Sequence, residues 1–345
     1  MKTYKHIFEE LLKEENITQC FHDAAKRKTT RPEVARVLKE EREVGNDRPE
    51  PQCLQEHVKA LQKMLEEETY QPPEHKKMLI NEYSCGKVRE IIKPEFQYEQ
   101  VVHHCIIKQL QPIVLHGLYE HALGSIPNRG CHSGKKQVEK WIKGYKGKKF
   151  YILKADVRHC FDTEDIHVIE EKLKHVIKDE KFVRLCCTVM EHEATLKPPE
   201  FDDRWIKDEQ WQDAEFLSGL PLGFVTSQWF TQLNFKTFDH KVIEDWKELG
   251  GVDHYIRYAD DIVATGRNKK KLHRLEETME AYLKNEMHQK SNATGKCFVL
   301  NIPTGKHRQS LTKGQEKRNR RPEDAHLTSW DLYFITTAQH FASQS

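Results

Sequence analysis

The most informative stretch of the chain runs from residue 254 to residue 265: His254-Tyr255-Ile256-Arg257-Tyr258-Ala259-Asp260-Asp261-Ile262-Val263-Ala264-Thr265. Two short β-prone runs flank an Ala-Asp-Asp tip, which is the pattern of a β-hairpin. Adjacent carboxylates repel each other and are costly to desolvate, so a buried pair requires a cation. Taken alone, an Asp-Asp pair is more simply explained by a solvated acidic turn, so other stretches must decide between the two.

Two further stretches lie upstream of this hairpin. Residues 150–156, Phe150-Tyr151-Ile152-Leu153-Lys154-Ala155-Asp156, form a β-prone run that ends in an acid, and Phe161-Asp162 follows. Thr163 is placed to cap the helix predicted next, whose apolar residues recur at helical spacing. Residues 219–228, Gly219-Leu220-Pro221-Leu222-Gly223-Phe224-Val225-Thr226-Ser227-Gln228, form a loop punctuated by Gly and Pro. This loop leads into a helix predicted from Trp229 to Asp245.

These three stretches, in this order, resemble the catalytic motifs of the reverse transcriptase family. Asp156 with Phe161-Asp162 resembles the first motif, the loop at residues 219–228 resembles the second, and Tyr-Ala-Asp-Asp resembles the third. The resemblance spans about residues 87–290. It implies an α+β fold of the right-hand polymerase type, in which fingers and a palm with an antiparallel sheet hold the active site.

The chemistry of nucleotide addition explains the acids at these positions. The reaction activates a 3′-hydroxyl and neutralises a pyrophosphate leaving group, and two Mg²⁺ ions about 3.5–4 Å apart do both. Mg²⁺ prefers hard oxygen ligands. By the resemblance, Asp156 and Asp260 are the bridging ligands, the Val157 carbonyl is a backbone ligand, and Asp261 tunes the site or binds a metal weakly.

The resemblance also implies residues that bind the incoming nucleotide. Phe161, five residues after Asp156, takes the place of the steric gate, an aromatic ring under the sugar that excludes a 2′-hydroxyl. A Phe of the hydrophobic core is the alternative. Leu222 and Gly223 of the second motif belong to the same nucleotide-binding set.

A second β-hairpin is predicted from Met78 to Ile92, with its turn near residues 84–86. The fingers of reverse transcriptases carry such a hairpin, and its basic residues clamp the nucleotide triphosphate. Arg89 is the first candidate, because a guanidinium can bind phosphate bidentately, and Lys87 is the second. An exposed charge without a ligand is the alternative for both residues.

Composition excludes several classes of protein. The 345 residues leave room for one large or two ordinary domains. Hydrophobic residues make up 37% of the chain and charged residues 32%, no apolar run is long enough for a membrane span, and no signal-peptide core follows the N-terminus. Nine cysteines without a Cys-x-x-Cys pair and twenty histidines without metal-ligand spacing indicate neither a zinc site nor a disulfide framework. We therefore expect a cytoplasmic protein without a membrane partner.

The net charge of +2 does not by itself indicate a nucleic-acid partner, but the distribution of charge does. Residues 129–149 contain eight Lys or Arg residues and one acid. This basic segment precedes the first catalytic strand and is a candidate for holding phosphates, with a solvated helix face as the alternative.

Three segments divide the chain. Residues 1–69 form an N-terminal helical extension, residues 70–292 form the fingers and palm, and residues 293–345 form an aberrant, poorly ordered tail. We predict that this tail is read out of frame, because the resemblance stops at about Asn292. Synonymous codons for residues 321–334, read from the last base of each codon, can encode Phe-Met-Gly-Phe, similar to the family's motif at the palm–thumb junction. The helical thumb would then be absent or disordered, which leaves the activity of the chain open.

Details of the second motif resemble the enzymes of diversity-generating retroelements. Most family members have Gln at the position of Leu222 and Pro at the position of Gln228. Losing a polar contact weakens discrimination between right and wrong base pairs, which suits an enzyme that miscopies adenine. The resemblance implies a prokaryotic or phage-encoded enzyme whose partners are template RNA, primer and cDNA, dNTPs and a basic accessory variability protein. The alternatives are a retron, group II intron or phage-defence reverse transcriptase, or an inactive RNA-binding relic of the fold.

Overall fold

The computed structural model describes residues 3–41, 50–75, 77–82, 87–145, 148–194, 217–292 and 296–301. Within these ranges the chain forms eleven α-helices and seven β-strands. The helices are α1 (Ile7–Leu11), α2 (Glu14–Ala25), α3 (Pro32–Val37), α4 (Leu54–Glu66), α5 (Val101–Leu115), α6 (Cys131–Gly144), α7 (Ile166–Val176), α8 (Glu180–Glu191), α9 (Val225–His240), α10 (Lys247–Gly250) and α11 (Lys269–Met287). The strands are β1 (Lys77–Glu82), β2 (Lys87–Ile92), β3 (Ala122–Leu123), β4 (Lys149–Asp156), β5 (Val252–Tyr258), β6 (Asp261–Gly266) and β7 (Lys296–Asn301).

A five-stranded sheet lies at the centre of the fold, in the order β3-β5-β6-β4-β7. Its neighbouring strands are antiparallel, except that the two-residue strand β3 runs parallel to β5. The β5–β6 pair is the hairpin predicted at residues 254–265, and β4 is the strand predicted to end at Asp156. The predicted α+β class and the antiparallel sheet are therefore confirmed.

Helices cover both faces of this sheet. Phe150 and Ile152 of β4 lie in one hydrophobic cluster with Val138 of α6. Leu153 and Ala155 lie in another cluster with residues of α9 and α11. Successive side chains of a strand point to opposite faces, so β4 contributes to both layers. Burial on both faces explains why the strand reads as a nearly continuous apolar run.

The N-terminal helices share a core with the helices behind the sheet. Apolar residues of α1 to α4 lie in one cluster with residues of α5, α7, α8 and α9. The segment predicted as a helical extension thus packs directly on the segment predicted as fingers and palm. No helix in the described ranges is long and apolar enough to cross a membrane.

Strands β1 and β2 form a separate antiparallel hairpin, where the sequence predicted one between Met78 and Ile92. Its turn, residues 83–86, lies outside the described residues. Apolar side chains on both strands are exposed, among them Leu79 at 73% and Val88 at 60%. The hairpin is joined to the rest of the molecule where the Ile92 N–H donates to the Leu222 carbonyl over 2.8 Å.

The cap of α7 differs from the prediction, which placed Thr163 there. Asp165 is the N-cap, and its carboxylate accepts from the N–H groups of His167 and Val168. Thr163 lies in a 3-10 turn, and its hydroxyl donates back to the His159 carbonyl over 3.1 Å. Because α7 begins at Ile166, Thr163 lies too early in the chain to be its N-cap.

Most of the tail predicted to be read out of frame, residues 302–345 in particular, lies outside the described residues. The described part, Lys296–Asn301, forms β7 and pairs with β4 from Lys149↔Asn301 to Lys154↔Lys296. The predicted change of reading frame and the missing thumb stay predictions, and the coding DNA would decide them.

Candidate active site

The three predicted aspartates lie at neighbouring strand ends. Tyr258 and Asp261 pair at the end of the β5–β6 hairpin, which leaves Ala259 and Asp260 as its turn. Asp261 also pairs with Asp156, the last residue of β4. Asp156 and Asp261 are therefore direct cross-strand neighbours, and Asp260 stands beside them at the tip of the hairpin.

Three acids in one place make the electrostatics of the site unfavourable. Burial, together with the negative charges of Asp261 and Asp156, raises the pKa of Asp260 to about 6, and the positive charge of Arg89 acts in the opposite direction. Like charges directly opposite each other on neighbouring strands destabilise a sheet. A bound cation would offset this repulsion.

Two polar partners of the acids were missed by the sequence analysis. The Asn292 side-chain amide donates to Asp156 Oδ2 over 2.7 Å. Lys154 Nζ lies 3.5 Å from Asp261 Oδ1. Lys154 precedes Asp156 by two residues, so the period of the strand places both on one face and could have identified the lysine. Asn292 gives no such signal, because it is distant in sequence from Asp156.

The backbone at the end of β4 is fixed by the segment that follows α11. Val157 forms an isolated antiparallel bridge with this segment. One hydrogen bond of the bridge runs from the Arg158 N–H to the Lys290 carbonyl, over 2.8 Å. The other runs from the Asn292 N–H to the Asp156 carbonyl, over 2.9 Å. The bridge thus holds this backbone without using the Val157 carbonyl, which was predicted as a metal ligand.

The turn that carries Asp260 is anchored on both sides of Ala259. Ala259 has a φ of 52°, which residues other than glycine rarely adopt. Its N–H donates to the Leu123 carbonyl over 3.0 Å, and its carbonyl accepts from Arg257 Nη1 over 2.7 Å. Strained residues persist where the surroundings over-determine them, and they cluster at functional sites.

Arg257 is itself held by a buried ion pair. Its Nε and Nη2 donate to the two carboxylate oxygens of Asp239 on α9, over 2.8 and 2.7 Å, and both side chains are 0% exposed. The Tyr255 hydroxyl donates to Asp239 over 2.7 Å, and Gln232 Oε1 accepts from Arg257 over 2.9 Å. Arg257 was not among the predicted site residues, although a charged residue inside an apolar strand is a signal that the sequence does contain.

The loop at residues 219–228 lies between the first motif and the hairpin of β1 and β2. The Leu220 N–H donates to the carbonyl of Phe161 over 2.7 Å. Two residues later, the Leu222 carbonyl accepts from the Ile92 N–H at the end of β2. Phe161 and Leu222 are both half-buried. These backbone contacts bring the predicted steric gate and the predicted loop residues into one region.

The two basic residues predicted on the β1–β2 hairpin differ in what can be described. Arg89 is exposed on β2, and its charge is near enough to Asp260 to lower the pKa of that acid. Lys87 begins β2, and its side chain lies outside the described residues. Of these two residues, Arg89 is therefore the one whose charge acts on Asp260 in the described part of the structure.

Gly223 is expected to tolerate substitution poorly. Its φ is 115°, and a Cβ atom there would lie 2.1 Å from the Ile92 carbonyl oxygen. Gly223→Ala should lower the free energy of unfolding by about 1–3 kcal/mol, because both the backbone strain and the close contact must be relieved. Chemical denaturation measures this difference. Gly144→Ala is the matched control, since nothing lies within 4 Å of its Cβ position in α6. Equal losses in the two variants would contradict the prediction.

Stability is expected to depend on pH through Glu164, a fully buried acid that accepts from the Asn234 side-chain amide. Burial raises the pKa of Glu164 from its ordinary 4.5 to about 7. The folded state holds the proton of Glu164 more tightly than the unfolded state does. Glu164 therefore contributes about 3 kcal/mol to the free energy of unfolding below pH 4.5, and this contribution is lost as the pH rises through about 7.

Glu164→Gln should therefore reduce the fall in unfolding free energy between pH 4.5 and pH 7. Denaturation curves at several pH values measure this slope. Glu171→Gln, at a residue that is 73% exposed on α7, should keep the slope of the unmodified chain. If Glu164→Gln also keeps it, Glu164 does not titrate in this range.

Comparisons with known proteins agree with the three motifs. Residues 37–301 match the family described as reverse transcriptase (RNA-dependent DNA polymerase). Group II intron-encoded protein LtrA of Lactococcus lactis subsp. cremoris is 22% identical over 195 residues, which are 55% of this chain and 29% of that protein. Nuclear intron maturase 1, mitochondrial, of Arabidopsis thaliana is 31% identical over 105 residues, which are 30% of this chain and 14% of that protein. The chain thus spans less than a third of the length of these relatives.

Among solved structures, telomerase from Candida albicans in complex with a TWJ fragment of telomeric RNA is 13% identical. Its TM-score is 0.48, and the similarity covers 69% of this chain and 43% of that one. The family match extends past the predicted boundary at Asn292, to the end of β7. It covers most of the chain and includes every strand that carries one of the three aspartates. The chain belongs to the reverse transcriptase family.

Proposed function

We propose that this chain is an RNA-directed DNA polymerase that copies an RNA template into cDNA by nucleotidyl transfer. The observation that carries the proposal is the meeting of Asp156, Asp260 and Asp261 at adjacent strand ends in a member of this family. The substrates would be template RNA, a primer and dNTPs. The three acids would hold the metal ions that are needed to transfer a nucleotide to the primer.

The donor atoms of the site fit Mg²⁺. Carboxylate oxygens and a backbone carbonyl are the hard ligands that this ion prefers. Burial and the negative charges of Asp261 and Asp156 raise the pKa of Asp260, and a bound cation would offset both effects. Asp156 and Asp260 would hold two ions jointly, with the Val157 carbonyl and Asp261 as further ligands. When bound, the ions would activate the primer 3′-hydroxyl and neutralise the pyrophosphate. That Asp156 and Asp260 share an ion stays a prediction.

The residues around the acids would orient the nucleotide. Arg89 on the exposed hairpin would bind the triphosphate, with Lys87 as a second basic residue. Phe161 would lie under the sugar and exclude a 2′-hydroxyl. Leu222 and Gly223 would contact the incoming nucleotide or the template from the loop, because their backbone is tied to the base of the hairpin at Ile92.

The finer proposal is an error-prone enzyme of a diversity-generating retroelement. It rests on Leu222, whose apolar side chain stands where most family members have an amide. A template-repeat RNA and a basic accessory variability protein would then be partners. The enzyme would be cytoplasmic and encoded by a prokaryote or a phage. The second candidate is an enzyme of the group II intron type, and the similarity to LtrA and to nuclear intron maturase 1 favours it.

Primer extension on an RNA template tests both the activity and the finer proposal. The unmodified chain should extend a primer in Mg²⁺ and should misincorporate opposite template adenine. Leu222→Gln should reduce this misincorporation by about 2- to 10-fold, which is the factor that corresponds to the net free energy of one hydrogen bond. Leu249→Gln, at an exposed leucine of α10, is the control and should leave the error rate unchanged.

The outcomes separate the candidates. Accurate copying of adenine by the unmodified chain would favour the group II intron type. Extension with unchanged errors in Leu222→Gln would remove Leu222 as the determinant of fidelity. RNA binding without any extension, in a chain that is folded and supplied with Mg²⁺, would favour an RNA-binding relic.

A further inference from the structure

Two histidines and a glutamate form a second polar cluster, separate from the three aspartates. His75 lies just before β1, and His192 and Glu193 follow α8. One ligand atom of each side chain lies within 4.8 Å of the other two. His75 Nδ1 is 2.7 Å from Glu193 Oε1, and His192 Nε2 is 3.8 Å from the same oxygen. The sequence shows no metal-ligand spacing at these two histidines, because they are far apart in the chain.

The other ring nitrogen of His75 faces a buried carboxylate. His75 Nε2 is 2.5 Å from Glu99 Oε1, and both side chains are 1% exposed. Glu99 is fixed in turn, since its Oε2 accepts from the Glu95 N–H over 2.7 Å. Histidines that bind metals almost always present their second nitrogen to a carboxylate or carbonyl, which fixes the ring and its tautomer. His75 and Glu99 approach this arrangement: Nε2 and Oε1 are close but are not aligned for a hydrogen bond with each other, and Nδ1 lies against Glu193.

We propose that His75, His192 and Glu193 bind a Zn²⁺ ion, with water in the remaining coordination position. Two imidazoles and one carboxylate are ligands that Zn²⁺ takes readily, whereas Mg²⁺ prefers oxygen ligands. Glu99 and Glu193 together carry two negative charges, which one divalent ion neutralises while the imidazoles stay neutral. This site is distinct from the Mg²⁺ site at Asp156 and does not depend on polymerase activity.

Binding requires only small movements of the three side chains. Ligand atoms of a tetrahedral zinc ion lie about 3.4 Å apart, given bonds of about 2.0–2.1 Å. The separations of 2.7 and 3.8 Å lie on either side of that value. His192 Nε2 now contacts the Pro73 carbonyl over 2.9 Å, and it would exchange this contact for the ion.

The position of the cluster indicates what the ion would do. The His75 ring packs against Phe224, with ring centroids 5.3 Å apart. Phe224 belongs to the loop that precedes α9, one residue after Gly223. A bound ion would therefore join the base of the β1–β2 hairpin to the end of α8 and support the loop packed against His75.

Metal titration of the full chain tests this proposal without any polymerase assay. The purified chain is stripped with a chelator and titrated with Zn²⁺, and with Co²⁺ as a spectroscopic probe, in excess Mg²⁺. We expect about one tightly bound Zn²⁺ per chain and a visible Co²⁺ spectrum typical of nitrogen and oxygen ligands in tetrahedral geometry. His192→Ala should lose this binding, and Glu99→Gln should weaken it by about 10- to 100-fold.

Two further variants keep the result decisive. His273→Ala removes a half-exposed histidine of α11 that contacts Glu276 over 3.1 Å, and it should bind Zn²⁺ as the unmodified chain does. If His192→Ala does not fold, Glu193→Gln, which retains the shape of its side chain, replaces it in the same titration. The proposal is overturned if the folded chain takes up no Zn²⁺, or if these cluster variants bind it as tightly as His273→Ala.

Discussion

Asp260→Asn should abolish RNA-templated primer extension, with a loss of at least about 10³-fold in rate, which corresponds to about 4 kcal/mol of transition-state stabilisation. The substitution keeps the size of the side chain and removes the charge that would hold the metal ions. RNA binding should remain largely intact, because the acid is not expected to contact the RNA backbone. Single-turnover extension and an RNA binding assay on the same preparation measure the two effects.

The stability of this variant gives an independent readout. Asp260 is crowded by Asp261 and Asp156, which help to raise its pKa to about 6. Without Mg²⁺, Asp260→Asn should therefore unfold at equal or higher denaturant concentration than the unmodified chain. Asp245→Asn, at a residue that is 57% exposed and pairs with Lys241, should leave extension unchanged. Extension by Asp260→Asn at the rate of this control would refute the assignment of Asp260.

The central sheet and its acids were predictable because their signals are local. β-Prone runs marked β4, β5 and β6, and a two-residue turn closes the hairpin where Asp260 was expected. The predicted helix from Trp229 to Asp245 was also found, although α9 begins earlier, at Val225, and is followed by a π-helical turn, Lys241–Asp245. The signal for each of these elements lies within its own stretch of sequence, so no knowledge of tertiary contacts was needed.

Contacts between distant residues could not be predicted in the same way. Asn292 and Asp156 are 136 positions apart, and His75 and Glu193 are 118 positions apart. Such pairs form only when helices and strands pack, and nothing in the local sequence of either partner indicates the other. For the same reason, Thr163 was a plausible helix cap from sequence, and the turn geometry that excludes it became visible only in the structure.

The largest effect on stability is expected at Arg257 and Asp239. Removing one member of a buried ion pair leaves an uncompensated charge, so Asp239→Leu should lower the free energy of unfolding by about 3–5 kcal/mol. The comparison is best made in a Tyr255→Phe background, because the Tyr255 hydroxyl also donates to Asp239. Chemical denaturation measures the loss. Glu68→Gln, which disrupts the exposed pair with Arg184, should change stability much less.

A double variant distinguishes the contribution of Arg257 to the packing of the core from its contact with the turn that carries Asp260. Asp239→Leu combined with Arg257→Met removes both charges, and replacing a buried pair by apolar residues often restores stability. It does not restore the donor to the Ala259 carbonyl, which Arg257 Nη1 supplies over 2.7 Å. Primer extension by the double variant should therefore stay low although the protein is stable, because the strained turn before Asp260 has lost one of its two anchors. If activity returns together with stability, Arg257 contributes only to the core, and the Leu123 contact to the Ala259 N–H is sufficient to hold the catalytic turn.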